Sequence, residues 1–354
     1  MDQKFSKLRF KDFTAAAAAA AIGGALALQP LAAMATPENI GSGTGVLTVH
    51  AGNAVWFLNN DITFSTTSSD WGFSEASLHT VSGTRTDAFN GALSWHVNAS
   101  PPGSLDNGGY VSPSGTVDIT PFPINSSVGT TVTGAPQTLA GLTVTGQIYF
   151  SPVKAVARTM IILQNPTGAP ITVTVDSDSN LGSGNNTFYQ LTSSGDQAFD
   201  PTDNWVVTSK TASPTTADNP ILTFAFAQTG ALVRPTAIQA LANGSRVQYL
   251  RYTVTVPAGQ TRSLMGLEQM SDTVAHAETD ALLFNTNGSL GTTDYLSGLT
   301  QTQQSQIVNF NVGNVAAAPT LSQWALIAMA GLLGLVGLSR IGFFGRRRQR
   351  SERA

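Results

Sequence analysis

The sequence predicts an all-β fold for the centre of this 354-residue chain: an antiparallel β-sandwich body closed by two short helices. Three observations lead there. Apolar residues recur at every second position in run after run, which places one face of each strand in a core and the other in water. Clusters of Gly, Pro, Asn, Asp and Ser break those runs at short intervals, as turns do. Charged residues are only 11% of the chain, the composition of a β-rich exported protein rather than of a cytosolic enzyme. The body is expected over residues 46–311, as one sandwich or two packed ones, with a flexible lead-in at 36–45 and a small-residue linker at 312–318.

Taken in order, the first strands are expected at Val46–Val49, Ala54–Leu58 and Ile62–Phe64, and Trp71, Phe73, Phe89, Leu93, Trp95 and Val97 supply more large apolar groups. The Ile40–Gly45 stretch is glycine-rich, but no strand precedes it and no helix follows, so it is not a dinucleotide fingerprint. Ala99–Ser114 reads as a long surface loop. Leu142, Val144, Ile148 and Phe150 alternate with polar residues, and Met160–Leu163 suits a strand buried on both faces. A turn at Asn165–Gly168 leads into alternation at Ile171, Val173 and Val175. Leu222, Phe224 and Phe226 form a further strand. Leu250, Tyr252, Val254 and Val256 form another, which turns at Pro257–Gly259 into Ser263–Leu267. Asp272 is expected to cap a helix with Val274, Ala277, Ala281 and Phe284 on one face. Thr300 and Gln303 have the spacing of a capping box, with Ile307 and Phe310 behind it. Helices that follow strands in this way are expected to cover a sheet edge or an open end.

Both ends of the chain carry hydrophobic segments. Lys4, Lys7, Arg9 and Lys11 precede an alanine-rich stretch from Thr14 to Leu28, and Ala33-Met34-Ala35 is a small-x-small cleavage site. Residues 1–35 therefore read as a secretory signal peptide, handled by the Sec translocon and signal peptidase. At the other end, Leu321 to Ser339 is a run of 19 residues without a charge. As a helix it would be about 28 Å long, enough to cross a bilayer. Trp324 stands near its start, and Arg340, Arg346, Arg347, Arg348, Arg350 and Arg353 follow it, an arrangement that holds the chain end on the cytoplasmic side. Of the 18 Lys and Arg, four lie in the leader and six in this tail, which leaves eight. Of the 21 Asp and Glu, Asp2, Asp12 and Glu352 lie outside the body, which leaves 18 and a body charge near −10. Such a body is not drawn to nucleic acid. The absence of cysteine suits a protein large enough to hold together without disulfides.

The order Pro319-Thr320-Leu321-Ser322-x-Trp324, one apolar helix and a terminal arginine cluster resembles the IPTL-CTERM sorting signal of Gram-negative bacteria, a relative of PEP-CTERM. The resemblance covers Ala318 to about Arg350, within the tail 319–354, and departs at Ala318, Gln323 and Ala325. It implies recognition by an exosortase-type transpeptidase at the inner membrane, then passage to the cell surface or exterior. A plain membrane anchor has the same hydropathy.

Candidate chemistry is sparse. There is no P-loop, no Gly-x-Ser-x-Gly and no His-Glu-x-x-His. The histidines His50, His79, His96 and His276 are far apart in sequence and read as sheet surface or edge positions. Asp176, Asp178 and Asn180 place oxygen atoms at alternate positions just after a strand, as a calcium loop does, and calcium is the cofactor such a loop would hold. The same stretch also reads as a polar turn closed by Asx hydrogen bonds. The EF-hand pattern fails at Leu181 and Thr187. Asp196, Asp200 and Asp203 form a second acidic loop. The expected function is that of an exported, non-enzymatic protein of the envelope, matrix or an adhesive surface. The alternative is a carbohydrate-binding or carbohydrate-active extracellular protein with a polysaccharide partner. Trp56, Trp71, Trp95 and Tyr110 would then be stacking platforms, where otherwise they would pack a core.

Overall fold

A computed structural model describes residues 36–39, 46–59, 73–80, 83–89, 92–99, 109–110, 116–121, 130–134, 136–181, 187–196, 198–215, 219–239 and 247–312. The signal-peptide reading with Ala33 and Ala35, the sorting motif Pro319, Thr320, Leu321, Ser322 and Trp324, and the tail residues Arg346, Arg347 and Arg348 lie outside the described residues. No helix among the described residues is long and apolar enough to cross a membrane.

The strands run β1 (Thr36–Asn39), β2 (Val46–Ala51), β3 (Ala54–Asn59), β4 (Phe73–Thr80), β5 (Gly83–Ala88), β6 (Ala92–Ala99), β7 (Gly109–Tyr110), β8 (Thr116–Pro121), β9 (Thr130–Thr133) and β10 (Gln137–Leu139). They continue with β11 (Leu142–Phe150), β12 (Val156–Gln164), β13 (Ile171–Asn180), β14 (Phe188–Thr192), β15 (Trp205–Ser209), β16 (Ile221–Ala225), β17 (Pro235–Gln239), β18 (Val247–Val256) and β19 (Thr261–Ser271). Helix α1 (Val274–Ala281) and helix α2 (Gln301–Gln306) follow, with 3-10 segments at Leu282–Asn285, Ser289–Thr292 and Asp294–Leu296 between them. The first sheet has the order β1-β8-β9-β11-β12-β19-β16-β15-β14, with β10 on β11. The second has the order β17-β18-β13-β6-β4-β3-β2, with β5 on β4 and β7 on β6. The long central pairs β11–β12, β12–β19 and β13–β18 are antiparallel. The sandwich-like all-β architecture expected from alternation is therefore present.

Alternation decides what each face buries. Leu142, Val144, Ile148 and Phe150 on the first sheet meet Trp56, Trp95, Val173, Val175 and Tyr252 from the second in one apolar cluster. Trp56 packs on Phe150 with ring centroids 5.6 Å apart, and the Tyr252 hydroxyl donates to the Phe226 carbonyl at 2.9 Å. Thr253 and Thr255, between the inward residues of β18, remain exposed.

The first sheet departs from simple alternation because its outer face is also covered. Val156, Met160, Met265 and Leu267 pack there against Ala277 and Ala281 of α1, Phe284, Leu290, Tyr295 and Phe310. The closing helices thus lie on a face rather than on an edge or open end, which corrects the expectation. The continuous apolar runs of β12 and β19 are what require that cover. Arg158 lies in this layer, fully buried, and donates to the carbonyls of Tyr295 and Ser297 at 2.7 and 3.0 Å. Its Cζ stands 4.8 Å from the Tyr149 ring centre, and burial lowers its pKa to about 10.

Two local expectations change. The N-cap of α1 is Thr273, whose hydroxyl accepts from the His276 N–H; the Asp272 carboxylate goes to the His276 ring instead. Asp176, Asp178 and Asn180 do not follow a strand but belong to β13, paired with Arg251, Tyr249 and Val247 of β18. Asp176 is buried and gripped by Arg251 through Nε at 2.6 Å and Nη2 at 2.5 Å. Among the described residues, no group of three or more His, Asp or Glu is placed to hold a metal ion.

Candidate functional site

A cavity that gathers titratable side chains opens where the two sheets meet α1. It is a cleft of about 630 Å3. A second, of about 320 Å3, is lined by Gly230, Leu232, Gln304, Ser305 and residues 307–312 without 309, none of them titratable.

Five pieces of chain build the larger cleft. The β2–β3 hairpin brings Gly52 and Asn53. Gly52 has φ +58°, which strains any other residue, and a Cβ there would stand 3.3 Å from the backbone of Lys154, so the two turns would have to part by a few tenths of an ångström to admit a side chain. Strand β4 brings Leu78, His79 and Thr80, held to the hairpin by the bond from the His79 N–H to the Asn53 carbonyl at 2.8 Å. Strand β5 brings Arg85. The β11–β12 turn brings Val153, Lys154 and Ala155. Ser151, buried beneath it, accepts from the backbone N–H groups of Val153 and Lys154 at 3.2 and 3.0 Å and donates to Asp294 at 2.6 Å. The end of β19 and α1 bring Gln269, Met270, Ser271, Asp272, His276 and Asp280.

The polar groups are held in pairs. Asp280 receives Lys154 Nζ on one oxygen at 2.5 Å and Gln269 Nε2 on the other at 2.6 Å. His276 shares Nδ1 with the Asp272 carboxylate, and that bond is the main reason the Asp272 carboxyl lies below its ordinary value. With Nδ1 occupied, Nε2 of an imidazole that is 68% exposed is left for other partners. His79 is held in the same way, through Nδ1 and Thr84 Oγ1 at 3.0 Å. Arg85, only 7% exposed, donates from Nη1 to the Asp272 carbonyl at 2.6 Å. The cleft therefore offers two imidazoles with one nitrogen free, an amide, a hydroxyl and two held carboxylates over an apolar floor of Leu78 and Met270. Groups of this kind can hydrogen-bond a polyol and move protons on it.

The structure brings His79 and His276 into one site, although they are 197 positions apart by their numbers; His79 is an exposed position of β4, as expected, and His276 is exposed on α1 rather than on a sheet. His96 is buried in β6. Trp56 and Trp95 are core residues and present no platform; the side chains of Trp71 and Tyr110 lie outside the described residues. The acidic loop closes on itself: Asp203 accepts from Ser193, Ser194 and the Asp200 N–H, and Asp196 accepts from Ser194 and Ala198. Arg85, Lys154 and Asp280 were missed in sequence. One signal was available for the first: Arg85 is the only Lys or Arg between residues 12 and 153.

Residues 316–350 match the IPTL-CTERM motif, so the chain carries this sorting signal at its C-terminal end. No curated protein matches the sequence. Solved structures resemble the chain only distantly. A candidate aldose 1-epimerase from Klebsiella pneumoniae has a TM-score of 0.41 at 10% identity, over 68% of this chain and 84% of that one. A galactose mutarotase-like protein from Lactobacillus casei has a TM-score of 0.36 at 8% identity, over 64% and 100%. The 4-alpha-glucanotransferase from Thermococcus litoralis has a TM-score of 0.36 at 7% identity, over 67% of this chain and 40% of that one. The likeness assigns no reaction. Enzymes stand among these structures, so the expectation of a non-enzymatic body is withdrawn.

Proposed function

We propose that this is an exported carbohydrate-interacting protein, and that the cleft between Asn53, His79, Lys154 and His276 is where the saccharide sits. The observation that carries the reading is the cleft itself: hydrogen-bonding side chains from both sheets and α1 around a space of about 630 Å3, the size of a small ligand site. A sugar presents adjacent hydroxyls, each both donor and acceptor. Lys154 and Gln269 hold Asp280 in place to accept from such hydroxyls, while Asn53 and Thr80 can both donate and accept. Recognition here rests on hydrogen bonds rather than stacking, since Trp56 and Trp95 are taken up in the core. The Asp272–His276 pair adds a group that can accept or release a proton, so chemistry on the bound sugar belongs to the same proposal.

The C-terminal IPTL-CTERM motif supports export to the envelope or surface, where saccharides are abundant. A leader at 1–35, a spanning helix at 321–339 and processing by an exosortase-type enzyme complete the proposed route.

Titrating the purified protein with neutral and acidic oligosaccharides, with NMR to follow both ligand contact and any product, tests the reading. Asp280→Asn is expected to weaken binding by about tenfold, the loss of one or two hydrogen bonds to a charged group. Unchanged affinity in Asp280→Asn and in a Lys154→Ala variant would place the saccharide elsewhere.

A further inference from the structure

We infer that the saccharide taken by this cleft is an acidic one, and that Arg85 anchors its carboxylate. The inference rests on the carbohydrate reading above and names the ligand class more narrowly.

Arg85 is more than nine-tenths buried, and among the described residues no carboxylate lies within ion-pair distance of its guanidinium. The neighbouring acids are engaged elsewhere: Asp272 with His276, and Asp280 with Lys154 and Gln269. Arg85 bonds only a backbone carbonyl, that of Asp272, through Nη1. Its Nε is enclosed and has no hydrogen-bond partner. Nη2 is left as the nitrogen that can reach into the cleft.

A guanidinium cannot shed its charge to relieve burial. The Asp272 carboxylate acts on it only from beyond contact and is itself bonded to His276, so an oxyanion that enters the cleft and pairs with the guanidinium directly offsets the cost of its burial. Uronic acid residues carry such a group on a ring whose hydroxyls suit the rest of the lining. A carboxylate is also a matched, charge-assisted acceptor for an arginine N–H. The body as a whole is acidic, near −10 by the count above, so its long-range field repels such a ligand. That field is screened within roughly 10 Å at physiological salt. Selection of an acidic sugar therefore has to come from a local cation, and of the two that line the cleft Lys154 is paired with Asp280, whereas Arg85 has no carboxylate in contact.

The test uses the full-length chain in detergent and three ligands in calorimetry: trigalacturonate, its methyl ester and neutral galactotriose. Trigalacturonate is expected to bind about tenfold more tightly than either uncharged sugar, the worth of one charge-assisted hydrogen bond. Arg85→Gln is expected to remove that preference and leave neutral binding in place. If Arg85→Gln does not fold, the methyl ester compared with the free acid on the unaltered protein still decides. Equal affinity for acid, ester and neutral sugar, lost in Asp280→Asn, overturns the anchor and leaves the saccharide reading standing. No binding of any of the three overturns the saccharide reading and the anchor with it.

Discussion

Glu268 lies on β19 on the face turned to the opposite sheet, fully buried, and neither carboxylate oxygen meets a hydrogen-bond partner among the described atoms. Its register neighbours are Ala157 on β12 and Phe224 on β16. A Cβ at Gly266 would stand 3.1 Å from the Thr159 hydroxyl, a tight contact, and 3.5 Å from Glu268 Oε1, an ordinary one. Burial pushes the Glu268 carboxyl well above the usual carboxylate range. A carboxyl raised in the folded state binds its proton more tightly there than in the unfolded chain. Its contribution is therefore full below the unfolded value of about 4.3 and is lost as pH rises towards the folded value. Stability should fall with rising pH across that window by up to about 1.4 kcal/mol per pH unit from this group alone. Denaturant melts of the native protein and of Glu268→Gln over the same pH series isolate the term, since every other group is common to both. The native curve should slope more steeply downward; parallel curves would mean that the fold does not hold Glu268 as the neutral acid. The acid was not legible as a core residue because the alternating run was read only to Leu267, while the strand continues to Ser271.

The segment from Thr300 to Val312 shows which elements a sequence discloses. Its start is local: Thr300 Oγ1 accepts from the Gln303 N–H at 3.2 Å, and Gln303 Oε1 accepts from the Thr300 N–H at 2.9 Å. Four consecutive residues contain the whole device, so spacing alone revealed it. Its anchor is not local. Asn309, fully buried, accepts from the Met265 N–H at 2.9 Å and donates to the carbonyls of Met265 and Phe226 at 2.6 and 2.8 Å. Val308 adds a backbone bond to the Ser263 carbonyl at 2.9 Å. An asparagine in Val-Asn-Phe-Asn-Val carries no mark of this, because its partners are tens of residues away. The two should differ in cost. Asn309→Ala leaves buried backbone groups unsatisfied and is expected to destabilise by about 2–4 kcal/mol. Thr300→Ala loses an exposed cap and should cost about 1 kcal/mol. Equal midpoint shifts in chemical denaturation would show that the strap is held by its helix rather than by Asn309. The cleft follows the same rule. His79, Arg85 and His276 sit on separate elements, and only the pairing of β4 with β5 and the approach of α1 to β19 bring them together.

At the scale of the whole molecule, the sandwich was legible because strand alternation is a repeated local signal, whereas strand order was not. Neighbours such as β6 and β13, or β12 and β19, are joined by register between distant segments. The IPTL-CTERM motif over 316–350 was legible for the opposite reason, since residue type, order and distance from the chain end are all written in one stretch. Its physical consequence can be followed through to a measurement. The tail joins an acidic body to a run of 19 uncharged residues and six arginines. A helix of that length, followed by that much positive charge, would hold the body on the far side of the inner membrane until the tail is cut. If an exosortase-type enzyme reads the tail at Pro319 and Thr320, cells that have the enzyme should yield a body lacking both residues 1–35 and the arginine cluster. Replacing Pro319 and Thr320 by alanine leaves hydropathy and charge almost unchanged, so insertion should proceed while cutting fails. The variant should then stay in the inner-membrane fraction with its C-terminal arginines in the intact mass. A variant that reaches the surface or medium as the native chain does, with the same C-terminal mass, would mean that those two residues are not what the processing step reads.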